Sequence, residues 1–321
     1  MNFASDNHYG ASAEILRALS RIGQDPDAAY GDDAITARVR ARLCDVFERE
    51  VAVYPVINGT TANALSLATL VPPHGAIFCH DEAHIAVDEC GAPEFFTHGA
   101  KLALVAGDDA KLTPAGIEQS LKHFQKGFVH HNQPAAVSLT QSTELGTVYA
   151  PAELQAIAAL ARKHGMKVHM DGARFANALV SVGCTPAELT WKSGVDVLSF
   201  GATKNGALAA EAVIFFDPRR GARFRIPAQE VGALAVQDAL RLGAARSLSR
   251  QGSRTPAGQP AGAEIAQGTD PGRERRDRPS GIGQCGCSRE CPIRWQRSCA
   301  APAPGSMIGG VPSDGGGRWR G

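Results

Sequence analysis

Residues 169–178, HMDGARFANA, and residues 199–216, SFGATKNGALAAEAVIFF, decide how the chain is read. In the first, the apolar run KVHM leads into Asp171, with Arg174 three residues on. In the second, the run VDVLSF leads into a short polar turn that carries Lys204. Each is an apolar strand that ends in a residue able to do chemistry. Open α/β sheets gather their ligands at such carboxyl ends. The surrounding grammar agrees: strands such as AAVSL, residues 135–139, alternate with amphipathic helices such as PAELQAIAALARKHG, residues 151–165. The fold class expected up to about Arg225 is therefore α/β.

A chain of 321 residues with 44% apolar content and a formal charge of +1 can bury a large core in one big domain, or in a big and a small one. No tract is apolar for long enough to span a membrane, and near-neutral charge gives no hint of a nucleic-acid partner. The start, MNFASDNHYGASAEILRAL, has polar residues where a secretory signal needs its apolar stretch, so a cytoplasmic protein is expected. Cys44, Cys79, Cys90 and Cys184 are scattered among strands and helices, as reduced buried thiols usually are.

The carboxylate and the amine suit pyridoxal phosphate. A lysine ε-amine condenses with the aldehyde as a Schiff base, and a carboxylate keeps the pyridine nitrogen protonated so that the ring accepts a carbanion's electrons. Taken singly, Asp171 reads as a loop cap that pairs with Arg174, and Lys204 as a surface lysine; their joint placement is what argues for a site. In NGTTANALSLATL, residues 58–70, Asn58, Gly59 and Thr60 form a strand-to-helix turn, with the helix starting at about Thr61. Exposed N–H groups and the helix dipole there would hold the phosphate, although Gly-Thr is also an ordinary helix cap. His84 follows the strand AIFCH in an acidic loop, where a ring could stack on the pyridine. A lone loop histidine is more often simply hydrogen-bonded, as His80, His130 and His131 are read.

Beyond about Arg225 the grammar changes. No lysine follows Lys204, no tyrosine follows Tyr149 and no phenylalanine follows Phe224; arginine, glycine, proline and serine take over. Such a stretch lacks the bulky apolar periodicity needed to offset chain entropy, so residues 226–321 are expected to be a disordered tail. A natural extension, a small metal module and a reading-frame change in a GC-rich gene compete, and composition favours the last. Residues 229–246, QEVGALAVQDALRLGAAR, admit a codon string that spells RKSGRWLSKMRFVSAQL one base later, an amphipathic helix rich in the residues the tail lacks. Cys285, Cys287, Cys291 and Cys299 lack the two tight pairs of a zinc site, so no metal is expected. GRERRDRP, residues 272–279, reads as a solvated charged stretch rather than a nucleic-acid site.

From about Asn2 to Phe216 the chain resembles the threonine aldolases, of the β-eliminating lyase group. The resemblance rests on FASDNHYGAS, YGDD, NGTTAN, the loop holding His84, HMDGARFANA and SFGATKNGALAAEAVIFF in that order. It implies a fold type I, PLP-dependent transferase-like large domain over residues 1–225 with a mostly parallel sheet. It implies a lyase that cleaves L-threonine, L-allo-threonine or a related β-hydroxy amino acid to glycine and an aldehyde, in threonine catabolism and glycine biosynthesis. Lys204 would carry the cofactor, Asp171 bind the pyridinium, His84 stack on the ring, and Gly59 and Thr60 hold the phosphate. Arg174 would contact cofactor or substrate, Asn7 the substrate, and Tyr30 a neighbouring subunit's site, in a homodimer or homotetramer. Two features depart from the pattern. TQSTELGT, residues 140–147, has Glu144 near the place where many members carry a histidine, and the small domain with its carboxylate-binding arginine is not recognisable in this frame. The rival readings are a β-elimination on the same scaffold and an inactive remnant.

Overall fold

The computed structural model describes residues 5–8, 10–20, 28 and 31–224. Tyr30 and every reading made of the tail beyond Arg225 lie outside the described residues. The helices are α1 (Ala13–Leu19), α2 (Ala34–Val46), α3 (Gly59–Leu70), α4 (His84–Val87), α5 (Ala92–Phe96), α6 (Pro114–Leu121), α7 (Pro151–His164), α8 (Phe175–Val182) and α9 (Pro218–Gly221). The strands are β1 (Ala52–Val56), β2 (Gly75–His80), β3 (Lys101–Val105), β4 (Gln133–Thr140), β5 (Lys167–Gly172), β6 (Val197–Gly201) and β7 (Glu211–Phe215). They form one sheet in the order β1-β7-β6-β5-β4-β2-β3, in which only β7 runs against its neighbours. The expected α/β fold with a mostly parallel sheet is present.

Local chemistry explains the elements. Pro151 opens α7, Glu153 reaches back to accept from the Ala150 N–H at 2.7 Å, and the helix ends on Gly165 at a φ of 75°. Its last turn carries Arg162, Lys163 and His164, which suit the negative end of the helix dipole. Both faces of β2 and β6 are buried, as helix-covered sheets require, whereas the edge strand β3 is partly exposed. The strand pleat sorts their side chains. Val137 and Leu139 of β4, Val168 and Met170 of β5, and Leu198 and Phe200 of β6 join one large core with α2, α6, α7 and α8. On the other face, Val197, Val213 and Phe215 pack under Ala62 and Leu65 of α3, and Ile77, Cys79 and Ala136 pack with Leu67 and Ile85.

That second face is also polar at its centre. Buried His169 of β5 bridges Ser138 of β4 at 2.8 Å and Ser199 of β6 at 2.9 Å, a ladder across three parallel strands. Burial holds the imidazole well below its ordinary pKa, so it serves as a neutral hydrogen-bonding strut. Among the four described cysteines, Cys79 is buried but Cys90 is exposed, which corrects the expectation of uniformly buried thiols. Cys90 has a positive φ of 52° in the turn before α5, and that turn carries it outward. Among the described residues, no helix is long and apolar enough to cross a membrane.

Candidate active site at the carboxyl edge of the sheet

The turn after β1 is built by Asn58. Its side chain accepts from the Thr61 N–H at 2.8 Å, so α3 starts at Gly59, two residues earlier than the sequence suggested. Among the described residues nothing accepts from the Gly59 and Thr60 N–H groups, which leaves two donors at the positive end of a twelve-residue helix. The space beside Gly59 is open: a Cβ there would meet nothing nearer than Glu211 Oε2 at 4.0 Å.

One turn along α3, buried Asn63 gathers the acidic groups. Its Nδ2 donates to Asp171 Oδ2 at 2.8 Å and to Glu89 Oε1 at 2.7 Å. Asp171, 5% exposed, also accepts from the Ala173 N–H at 3.0 Å. Glu89 in turn lies 2.9 Å from His84 Nδ1, and ligand atoms of His84, Glu89 and Asp171 all fall within 4.8 Å of one another. Such a spacing suits a cation, and a protonated imidazole beside two carboxylates meets the same need. The hydrogen bond to Glu89 raises the His84 pKa against the opposing effect of burial, while burial raises that of Glu89. His84 proves to be the first residue of α4 rather than a loop residue, and its own N–H donates to Glu144 at 2.8 Å. Glu144 therefore does reach this site, and Thr140 at the end of β4 donates to the same carboxylate.

Lys204 lies in a single 3₁₀ turn, Thr203–Asn205, after β6, and its side chain is 15% exposed. Its Nζ is 3.9 Å from Asp6, which also takes two bonds from Arg174, at 2.5 and 3.1 Å. Arg174 thus pairs with Asp6 rather than with Asp171. Burial pushes the Asp6 pKa up, but the Arg174 bond and the charges of Arg174 and Lys204 outweigh it and hold the carboxyl low. Asn7, next to Asp6, is exposed, and its backbone N–H donates to Ser5. Lys204, Asp171, His84, Gly59, Thr60 and Arg174 all come from the carboxyl ends of strands or from the segments just beyond them.

A scan against family models matches residues 2–267 to the beta-eliminating lyases. The chain belongs to that family. It is 46% identical over 233 residues to the low specificity L-threonine aldolase of Pseudomonas aeruginosa and 44% identical over 233 residues to that of a Pseudomonas strain, covering 73% of this chain and 67% of each relative. Its fold matches a solved threonine aldolase of Leishmania major with a TM-score of 0.70 and 28% identity, covering 78% of this chain and 71% of the other. These likenesses imply pyridoxal phosphate as the cofactor.

The residues present fit that cofactor. A beta-eliminating lyase site needs an amine, a buried carboxylate and an anion-binding turn, and Lys204, Asp171 and the Gly59–Thr60 N–H groups offer them on one sheet edge. Buried Asn63 Oδ1 and Glu89 Oε2 have no partner among the described residues, as expected beside a polar ligand. Three side chains central to this geometry, Asn63, Glu89 and Glu211, were not assigned from sequence. Asn63 and Glu211 each leave a faint signal, a polar residue inside an apolar helix or strand.

Proposed function

We propose that this beta-eliminating lyase uses pyridoxal phosphate to cleave L-threonine and related β-hydroxy amino acids to glycine and an aldehyde. The observation that carries the reading is the convergence of Lys204 and Asp171 on the carboxyl edge of the sheet. When bound, the cofactor supplies an electron sink for the bond that breaks.

The chain's own groups then divide the work. Lys204 Nζ would hold the cofactor through its aldehyde. Asp171, fixed by Asn63 and the Ala173 N–H, would keep a proton on the pyridine nitrogen, and a carboxylate already held by two donors would do this without reorganising. Gly59 and Thr60 receive the phosphate. His84, oriented by Glu89, would stack on the ring, and Glu144, which accepts from the His84 N–H, would take the proton of the substrate hydroxyl. Arg174 binds cofactor or substrate once its pairing with Asp6 is exchanged, Asn7 borders the substrate, and Tyr30 serves a neighbouring subunit in a homodimer or homotetramer. The setting is cytoplasmic threonine catabolism that yields glycine. The catalytic large domain ends at about Arg225, and residues 226–321 are the product of a changed frame, which resequencing codons 224–229 decides.

Release of acetaldehyde and glycine from L-threonine tests the reaction. Little activity is expected from the chain as given, and full activity from a version with its later codons restored to frame. The family's own description favours one rival, β-elimination to a 2-oxo acid and ammonia. A restored enzyme that yields those products and no acetaldehyde would replace the aldolase reading with that one.

A further inference from the structure

Glu211 is the one acidic residue in the strand AEAVIFF, and the reversed direction of β7 decides where it goes. Because β7 runs against β1 and β6, its first residue pairs with Val56 and with Gly201, the last residues of those two strands. A strand start is thereby placed among strand ends. The side chain is 8% exposed and shares a face with Val213 and Phe215, under α3. Its Oε1 accepts from Thr203 Oγ1 at 2.5 Å, the residue next to Lys204. Its Oε2 lies between two glycines: a Cβ at Gly201 would stand 2.9 Å from it and one at Gly59 4.0 Å from it. Gly201 has to be glycine because a Cβ there would also stand 2.8 Å from the Ala173 Cα, and Gly59 belongs to the turn whose two N–H groups find no acceptor among the described residues.

The charges that face this carboxyl are few. Asp171 of β5 disfavours its ionised form and Lys204 of the turn after β6 favours it, while β1 and α3 contain no ionisable acid or base other than Tyr54. An ionised carboxylate at this point would repel a phosphate group seated on the Gly59–Thr60 turn, whereas a protonated one can donate to it.

We propose that Glu211 is a proton-carrying part of the phosphate site, which receives the cofactor phosphate with its carboxyl neutral and opposes it when ionised. The inference rests on the cofactor reading above. Burial, partly offset by the Thr203 bond, pushes the Glu211 pKa up to about 7, so both forms are accessible near neutral pH. The direction follows: cofactor affinity is high below that value and falls as pH rises through it.

The test is the cofactor dissociation constant of the full chain, followed by absorbance and fluorescence between pH 6 and 8.5, for the wild type and Glu211→Gln. Glutamine keeps the shape and can still accept from Thr203, but cannot ionise. The wild type should lose about tenfold more affinity across this range than the variant, since one pKa unit of differential interaction is a factor of ten. Thr203→Val serves as an independent check. It removes the side-chain bond, the largest of the effects that hold the Glu211 pKa down, so the inflection should move to higher pH. Equal pH slopes in the wild type and Glu211→Gln, or an inflection that Thr203→Val leaves in place, would overturn the role of Glu211 and leave the cofactor reading standing. Failure of the folded proteins to bind the cofactor at any pH would overturn both.

Discussion

The two faces of the central sheet are built to opposite rules from the same strands. Toward α2, α6, α7 and α8 the three central strands β4, β5 and β6 present Val137, Leu139, Val168, Met170, Leu198 and Phe200, all apolar. Toward α3 the alternate residues include Ser138, Thr140, His169, Asp171, Ser199 and, from β7, Glu211, with Asn63 above them, set among apolar Ala136, Val197, Val213 and Phe215. A pleat with a period of two lets one strand serve both purposes, because each residue changes sides relative to the next. The first face anchors the sheet, and the second holds polar groups that stay costly unless each finds a partner. Stability and chemistry are thereby separable, and substitutions on each face should report different quantities.

The largest expected effect is at the edge of the polar face. Lys204→Ala should abolish turnover and the borohydride-reducible attachment of the cofactor, because no other described lysine lies at a strand-end turn downstream of Asp171. A variant that still yields a reduced cofactor adduct would remove Lys204 from its assigned place. Asp171→Ala should follow, with turnover lowered about a hundredfold or more, the scale seen when a fixed electrostatic partner of a reacting group is lost. Some cofactor should remain bound through the phosphate turn. Wild-type turnover in that variant would end the assignment.

The contrasting substitution is on the apolar side. Leu154 of α7 is 1% exposed and belongs to the large core. Leu154→Ala should lower the unfolding free energy by about 3 kcal/mol, as leucine truncation in a packed core does. Measured well below its unfolding temperature, cofactor affinity should not change. A large loss of affinity with little loss of stability would show that the two faces are coupled rather than separate.

What was legible in the sequence follows the same division. Lys204, Asp171 and the Asn58–Thr60 turn were readable because each is signalled locally, by an apolar run that stops at a polar residue. His84 and Arg174 rested on the resemblance. Glu211 left only a faint signal, because a glutamate at the start of an apolar strand looks like a solvated end until the direction of β7 is known. Asn63 was hidden in the apolar helix GTTANALSLATL, and its function depends on partners 26 and 108 residues away along the chain. Arg174 was expected to pair with Asp171 or to reach a ligand, whereas the N-terminal segment brings Asp6 to it, a contact no local pattern announces. Local chemistry is visible in one dimension, whereas partners supplied by strand order and strand direction are not.

The smallest and most local effect concerns His84 and Glu89, where the polar face meets the loop after β2. The Glu89 bond raises the pKa of His84 and burial opposes it; burial raises the pKa of Glu89. For His84 the folded value lies above the unfolded one, so its contribution to stability is complete below the unfolded value and is lost as pH rises through the folded value. Glu89 sets the other limit: its carboxyl is neutral at low pH and becomes charged only above its own raised pKa. The charged pair therefore exists in the window between the two. The His84 side chain is 38% exposed, so the effect on stability is small and the titration is the better readout. In Glu89→Gln the imidazole keeps a hydrogen-bonding neighbour but loses the charge that favours its proton, while the burial that disfavours it stays. The His84 pKa, followed by NMR of the ring protons, should fall in this variant. If it does not move, Glu89 only fills space behind the ring, and the hydrogen-bonded chain from His84 through Glu89 and Asn63 to Asp171 carries no charge coupling.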